Sequence, residues 1–177
     1  MSFGIDVNRI LSVAEIQGWR GNKFYGYEHK RFHGQVYRRV RRGDKIIEDW
    51  ERLVDFYTGE PFNLVVDVGE TQMAKRLGGI SSNPISHMAV GTGTTAAAEG
   101  DTALETEIAR VAATCSVAGS VLTVAATYGA GVGTGAHTEI GCFDAASAGV
   151  MTNRLVFAAK NKGASDIFDY EIKFTFE

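Results

Sequence analysis

Residues 168–177 alternate strictly between apolar and polar side chains. They read Phe-Asp-Tyr-Glu-Ile-Lys-Phe-Thr-Phe-Glu. Because successive side chains of a β-strand point to opposite faces, the five apolar residues would share one face of a strand. A helix would spread the same residues around its circumference. The pattern therefore predicts a strand with one buried and one solvated face, which is typical of an antiparallel sheet.

Several other short apolar runs precede this strand and are separated by Gly, Ser and Asn turns. They span residues 107–117, 121–128, 138–143 and 154–159. We interpret residues 160–165 as a hairpin connection between the last two strands, and the glycine-rich residues 129–135 as a loop. The 21 glycines against 2 prolines also favour short strands joined by tight turns. The sequence thus predicts a mainly β protein, an antiparallel β-sandwich of jelly-roll-like type.

The first part of the chain has a different pattern. Its opening residues are partly apolar but follow no clean period, which we interpret as an extended arm. Residues 35–42 and 45–50 flank Gly43-Asp44 and predict a hairpin. The one helix that the pattern predicts spans residues 69–77 and ends at Gly78-Gly79. We place the domain boundary after residue 61, with an N-terminal arm and basic hairpin in residues 1–61 for attachment and oligomer contacts, and the sandwich core in residues 62–177.

Charge is distributed unevenly along the chain. Residues 20–52 hold ten Lys/Arg and five Asp/Glu, a balance of +5, whereas the rest of the chain balances at −8, which gives the net charge of −3. Opposite poles suit contacts between subunits or docking on an acidic partner. The candidate interface consists of basic and aromatic side chains of the hairpin: Arg38, Arg39, Arg41, Arg42, Tyr37 and Trp50.

On a strand, Arg39 and Arg41 would share one face, and Arg38 and Arg42 would lie with Val40 on the other. Arginine beside aromatic residues favours protein interfaces or nucleic-acid backbones. We rank subunit contact first, a solvated face second and nucleic acid third.

No pattern predicts a catalytic, cofactor or metal site. The Gly-Thr-Gly-Thr-Thr run at residues 91–95 lacks the lysine and the following helix of a phosphate loop, so structural turns are expected there. The four histidines and two cysteines lack zinc spacing, and we expect Cys115 and Cys142 to be thiols. No apolar run reaches the roughly 20 residues of a membrane span, and the N-terminus lacks the features of a signal peptide, so we expect neither membrane insertion nor secretion.

Acidic residues near the middle of the chain form the remaining candidate cluster. Glu105 and Glu107 would share a strand face, as a calcium site or a catalytic pair requires. The commoner outcome is solvated carboxylates or ion pairs with Arg110 and Arg154. Glu139 is a candidate for an inward-facing partner of Arg154.

Five motifs follow one another in an order that resembles a known family. They are Asn63-Leu-Val-Val-Asp-Val-Gly, Ala74-Lys-Arg-Leu, Met88-Ala-Val-Gly-Thr-Gly-Thr-Thr, Asp101-Thr-Ala-Leu-Glu-Thr-Glu and His137-Thr-Glu-Ile-Gly-Cys-Phe-Asp-Ala. Residues 62–177 resemble the small β-rich structural proteins of tailed bacteriophages, often labelled tail-fibre, collar or neck proteins. The resemblance implies a homo-oligomeric virion component, commonly a trimer, attached to other tail, neck or capsid proteins. Because the chain has no extended shaft, a compact connector or adaptor is favoured over a long fibre.

We therefore expect a structural protein of the virion rather than an enzyme. One alternative is a capsid decoration protein. Another is a module that binds a host glycan or surface receptor through the loops around residues 128–137. A third hypothesis, a hydrolase built on Glu105 and Glu107 or on Cys115 with a histidine, rests only on the presence of these residue types.

Overall fold

The computed structural model describes residues 23–24, 27–28 and 33–176. The chain divides into two compact units, Met1–Arg31 and Phe32–Glu177. In the first unit, strand β1 (Lys23–Phe24) pairs antiparallel with β2 (Tyr27–Glu28). The predicted extended arm, in the residues before Lys23, lies outside the described residues.

The second unit is an antiparallel β-sandwich, which confirms the predicted fold class. Its elements are β3 (His33–Arg42), β4 (Lys45–Arg52), β5 (Leu64–Val65), α1 (Asp67–Leu77), β6 (His87–Gly91), β7 (Glu107–Ala112), β8 (Thr114–Ala118), β9 (Val121–Tyr128), β10 (Gly135–Phe143), β11 (Met151–Lys162) and β12 (Ile167–Thr175). One sheet has the strand order β5-β11-β10-β6-β7 and the other the order β4-β3-β12-β9-β8. Apolar side chains from both sheets form one shared core.

Strand β12 is the central strand of its sheet and supplies much of this core. Phe168, Tyr170, Ile172 and Phe174 are all buried on the inner face, as the alternation predicts. Each contributes on the order of 1.5–3 kcal/mol through removal of apolar surface from water. Phe176 is 49% exposed, since the strand ends at Thr175.

The β3–β4 hairpin belongs to the sandwich, so the boundary in the structure differs from the predicted one after residue 61. Strand β3 lies between β4 and β12 and pairs with β12 along nine consecutive residues. Glu51 on β4 forms a 3.0 Å ion pair with Lys160 on β11, which ties the hairpin to the opposite sheet. The compact unit accordingly begins at Phe32. The sequence placed the basic hairpin outside the core because its charged residues dominate the pattern, although Val36 and Val40 between them are buried.

The predicted hairpin between the last two strands is wrong. Strand β11 is flanked by β5 and β10, whereas β12 is flanked by β3 and β9. Neither strand therefore has a free edge for the other, and the chain crosses from one sheet to the other after Lys162. A second crossing divides the apolar run at residues 107–117 into β7 and β8, which lie in different sheets.

Helix α1 begins at Asp67, two residues before the predicted start, and ends at Leu77 as predicted. Acidic residues in its first turn and basic residues in its last complement the helix dipole. Gly69 allows a close approach, because a Cβ there would overlap the backbone of Thr152 on β11. Among the described residues, no helix has the length and apolar character needed to cross a membrane.

Candidate docking surface on the β3–β4 hairpin

The outer face of the hairpin sheet centres on a buried carboxylate. Asp169 on β12 lies directly opposite Arg39 on β3 and Thr127 on β9. Its oxygens accept hydrogen bonds from Arg39 Nη2 at 3.0 Å, Arg41 Nε at 2.6 Å and Thr127 Oγ1 at 2.8 Å. We call these four residues the Asp169 clamp. Asp169 is only 5% exposed although the alternation places it on the solvated face, because the two arginines cover it.

The clamp fixes both arginines of the outer face, which share that face as predicted. Burial raises the pKa of Asp169, but hydrogen bonds from Arg41, Thr127 and Arg39 outweigh it and hold that pKa below its usual value. The hydrogen bond to Asp169 in turn raises the pKa of Arg41. Two guanidinium groups against one carboxylate leave a single excess positive charge. Half of the positive charge of this pair is therefore neutralised within the sheet, which weakens the interpretation of the basic run as a nucleic-acid site.

Arg38 does not contribute to the exposed surface. Its side chain is buried and pairs with Glu48 and Glu51 of β4, with Nε 2.7 Å from Glu51 Oε1. The guanidinium also lies 4.8 Å from the centre of the Phe168 ring. Burial raises the pKa of Glu51, but the bonds from Lys160 and Arg38 bring it below its usual value. The prediction that Arg38 is an exposed interface residue is wrong, because its side chain points inward and forms ion pairs within the fold.

The remaining predicted interface residues lie nearer the surface. Arg42 is exposed along most of its side chain, and its Nε lies 2.6 Å from Asp166 Oδ1. The Tyr37 hydroxyl donates to Gln35 Oε1 at 2.8 Å, and the ammonium of Lys173 lies 4.9 Å from the Tyr37 ring centre. These residues have partners within the sheet and present their outer sides to solvent.

Trp50 is the exposed aromatic anchor of the hairpin. The Arg39 guanidinium lies 4.7 Å from the centre of its ring, and Arg39 is itself held by Asp169. Ile46 and Ile47 on the same strand are also exposed. We call Ile46, Ile47 and Trp50, together with Arg39, the Trp50 surface. Tryptophan and arginine are the residue types that dominate binding energy in protein interfaces, and here they are stacked on each other on a strand that also exposes two isoleucines.

A second exposed aromatic pair follows the hairpin. Phe56 is 63% exposed and packs edge to face on Tyr57, with ring centres 5.3 Å apart. The Phe56 amide donates to the Val156 carbonyl at 2.8 Å, and the Tyr57 hydroxyl donates to the Thr94 carbonyl. Both rings are thus presented from an anchored backbone. Sequence reasoning did not select them, although adjacent aromatics in a polar loop are a readable signal.

The Gly-Thr-Gly-Thr-Thr loop binds carboxylates of its own chain. Glu139, buried on β10, accepts the amide of Gly93 at 2.9 Å. Glu105 accepts the amides of Thr94 and Thr95, each at 2.8 Å. The two hydrogen bonds from Thr95 lower the pKa of Glu105 most strongly; burial opposes them, and the Thr94 amide and Arg154 lower the pKa further. The loop amides that a phosphate would need are therefore occupied.

Arg154 sits behind this loop and completes a structural network. Its Nη2 lies 2.9 Å from Glu139 Oε2, which confirms the inward pairing considered from sequence, and its Nη1 lies 2.8 Å from Asp101 Oδ2. Glu107 instead pairs with Arg110 at 2.6 Å. Glu105 Oε2 also lies 3.7 Å from Arg154 Nη2, so Glu105 and Glu107 are each paired with an arginine, which is the commoner outcome considered from the sequence.

His137 is buried between the loop at residues 129–135 and the core. Because a carbonyl can only accept, Nε2 donates to the Gly133 oxygen at 2.6 Å, and Nδ1 accepts from the Tyr170 hydroxyl at 2.9 Å. Burial lowers the pKa of His137 to about 4, so the ring is neutral at pH 7. Both ring nitrogens therefore form hydrogen bonds that join the loop to β12.

Cys115 and Cys142 are free thiols, as expected. Within the described ranges, no group of three or more His, Cys, Asp or Glu side chains is arranged to hold a metal ion.

No protein-family model matches the chain, and neither a curated protein nor a solved structure shows significant similarity to it.

Proposed function

We propose that this protein is a structural component of a tailed-phage virion, of the neck, collar or tail-fibre type, that acts by self-assembly and by docking on other virion proteins. The order of the five motifs supports the family, and the sandwich supports a compact connector. The observation that carries the docking role is the Trp50 surface. An exposed tryptophan and two isoleucines on a strand cost solubility unless a partner covers them.

The Trp50 surface is also preorganised. Arg39 is held on one side by Asp169 and stacks on Trp50 on the other. Neither side chain has to be ordered anew when a partner binds, so less entropy is lost on association. Binding surfaces built on strands of a scaffold hold their geometry better than surfaces on loops. A connector that transmits force between particle components benefits from such rigidity.

The site chemistry supports a mechanical role over catalysis. Glu139 and Glu105 are occupied by loop amides, and His137 uses both ring nitrogens on structural partners. A hydrolase needs a carboxylate or imidazole poised beside bound substrate. In this protein these groups form hydrogen bonds that hold loops to the sandwich.

The virion role is tested by the composition of purified particles. Phage particles produced with the wild-type gene should contain the protein at a fixed copy number by quantitative mass spectrometry. Trp50→Glu places a charge in the Trp50 surface and should lower that copy number at least about tenfold. Val132→Glu, at an exposed apolar residue of the loop at residues 129–135, is the matched control and should incorporate normally. Absence of the wild-type protein from particles overturns the proposal.

Host-surface binding is the second candidate, favoured by the anchored loop at residues 129–135. Lys162 Nζ donates to the Gly129 carbonyl at 2.8 Å, and the Gly131 amide donates to the Ala164 carbonyl at 2.8 Å. Val132 is exposed at its tip. In this alternative, particles carrying Val132→Glu keep the protein but adsorb poorly to cells. Location of the protein on the shell rather than the tail would identify it as a capsid decoration protein.

A further inference from the structure

The two sheets have four edge strands, and three of them are protected against pairing with another chain. Strand β4 carries five charged residues among its eight and has two register irregularities against β3. Strand β5 is only two residues long. Strand β7 carries Glu107 and Arg110 and has one register irregularity against β6. Charges, bulges and short length are the usual ways in which natural sheets avoid edge-to-edge association.

Strand β8 has none of these protections. Its sequence is Thr-Cys-Ser-Val-Ala, it is exposed along its whole length, and it pairs with β9 through five consecutive residues without irregularity. Within the described part of the chain β9 is its only strand partner, so its outer backbone groups form a regular open edge. It also lies within an uncharged run, residues 111–138. A flat, uncharged edge of this kind is a template for strand addition.

We propose that β8 pairs antiparallel with β8 of a second copy of this chain across a two-fold axis, and so joins the two sandwiches through a continuous ten-stranded sheet. The register that centres the axis on Ser116 sets Cys115 opposite Val117 of the second copy, and Thr114 opposite Ala118 of the second copy. This pairing opposes no charges. The same operation on β4 or β7 would bring charged side chains to the junction, and the irregular pairing of these strands with β3 and β6 would disturb a regular ladder.

The inner face of β8 supplies the second reason that the occupant is another copy. Cys115 and Val117 point to the inner face, beside an open apolar cleft of about 370 Å³. The cleft is also lined by Met73, Ile85, Leu122, Phe174 and Phe176. Val117 is 73% exposed at its mouth. In the proposed register, Val117 of the second copy lies directly against Cys115, so each copy places an apolar side chain at the cleft of the other.

The β8 pairing would be one contact of the proposed self-assembly. Its role in a virion rests on the proposed function, whereas the pairing itself rests on the geometry of the β8 edge. A two-fold axis gives a closed dimer through one self-complementary patch. That symmetry differs from the trimer implied by the family resemblance, so the mass of the particle in solution distinguishes the two.

Light scattering on the purified full chain tests the assembly state. We expect a mass of twice 19.1 kDa at micromolar concentration. Ser116→Lys sets two ammonium groups opposite each other at the axis and should weaken dimerisation at least about tenfold. Ser147→Lys, the same substitution at an exposed loop serine, should remain dimeric. Circular dichroism melts of both variants establish that the fold is kept.

Cross-linking tests the register. Directly opposed residues have Cβ atoms about 4.5–5.5 Å apart, close to the separation a disulfide requires. In a Cys115→Ser background, Ser116→Cys should form a covalent dimer on mild oxidation, whereas Ile46→Cys on the β4 edge should not. A wild-type monomer at high concentration, or an oligomer that Ser116→Lys leaves intact, overturns the proposal. If the protein is a dimer in solution but is absent from particles, only the virion role is overturned. If it is a monomer in solution and is nevertheless incorporated into particles, only the proposed β8 pairing is overturned.

Discussion

The carboxylate of Glu139 lies 2.9 Å from the guanidinium of Arg154, and both side chains are almost fully shielded from water. The pair also holds the loop at residues 92–106, since Glu139 accepts the amides of Gly93 and Thr106. Removing one member of a buried ion pair leaves the other charge without compensation. The contact between β10 and β11 and the position of the loop at residues 92–106 therefore both depend on this ion pair.

Glu139→Gln should lower the free energy of unfolding by about 3–5 kcal/mol, because Arg154 is left buried with one fewer carboxylate and the three loop amides of Gly93, Glu105 and Thr106 lose a charged acceptor. Urea denaturation of variant and wild type at pH 7 measures this difference in the free energy of unfolding. Glu171→Gln removes a carboxylate from the partly exposed pair with Lys173 and should cost less than about 1 kcal/mol. Equal effects of the two variants would contradict a structural role for Glu139.

Gly93→Ala tests the close packing of the same loop on Glu139. A Cβ at residue 93 would overlap Glu139 Oε1 and the Cβ of Glu105. Because such overpacking forces neighbouring atoms to shift, we expect a loss of about 1–3 kcal/mol in the free energy of unfolding. Gly100→Ala in the same loop meets nothing within 4 Å and is the matched control. If both variants unfold at the same urea concentration as wild type, the loop does not pack as described.

Asp169→Asn tests the Asp169 clamp. The amide leaves Arg39 and Arg41 without their shared carboxylate, and we expect a loss of about 1–3 kcal/mol at pH 7. The pKa of Asp169 lies below its ordinary value of 3.8 in the folded protein, so its stabilisation is present above that pH and is lost as pH falls through the folded pKa. The difference between variant and wild type should therefore shrink below about pH 4. A difference that stays constant to pH 2 would show that the carboxylate charge is not involved.

His137 should make the protein less stable in mild acid. Its pKa falls from 6.5 to about 4 on folding, so the unfolded chain binds more protons between those pH values. Stability therefore decreases as pH falls from 6.5 to 4, by up to about 3 kcal/mol at the lower end. His137→Gln should be less stable than wild type at pH 7 but should lose less stability over that window. Parallel pH profiles for variant and wild type would exclude this linkage.

The secondary structure was largely readable from the sequence because its signals are local. The alternation at residues 168–177 predicted β12, and Gly43-Asp44 predicted the β3–β4 turn, where Gly43 adopts a φ of 54°. Gly78-Gly79 similarly marked the end of α1. In each case the residues that carry the signal are neighbours in the chain, and the backbone periodicity or turn geometry they require involves no distant partner.

The candidate site was readable only in part. The sequence indicated that Arg39 and Arg41 share a face, because side chains two residues apart on a strand do so. It did not indicate that Asp169, 128 residues beyond Arg41, lies between them. Arg38 was selected for its charge, yet it is buried because Glu48 and Glu51 on the neighbouring strand supply its partners. The charge of a residue is local information, whereas its neutralisation depends on strand register.

The sequence by itself determined that this chain forms antiparallel strands with one apolar face, and where most of those strands begin and end. Only the tertiary structure decided which strands are neighbours: that the basic hairpin lies beside β12, that β11 and β12 belong to opposite sheets, and that β8 is left at an unprotected edge. The physical reason is that a strand's apolar face specifies burial without specifying a partner. The partner is selected by register, crossing connections and buried pairs such as Glu139 with Arg154, which form between residues far apart in the chain.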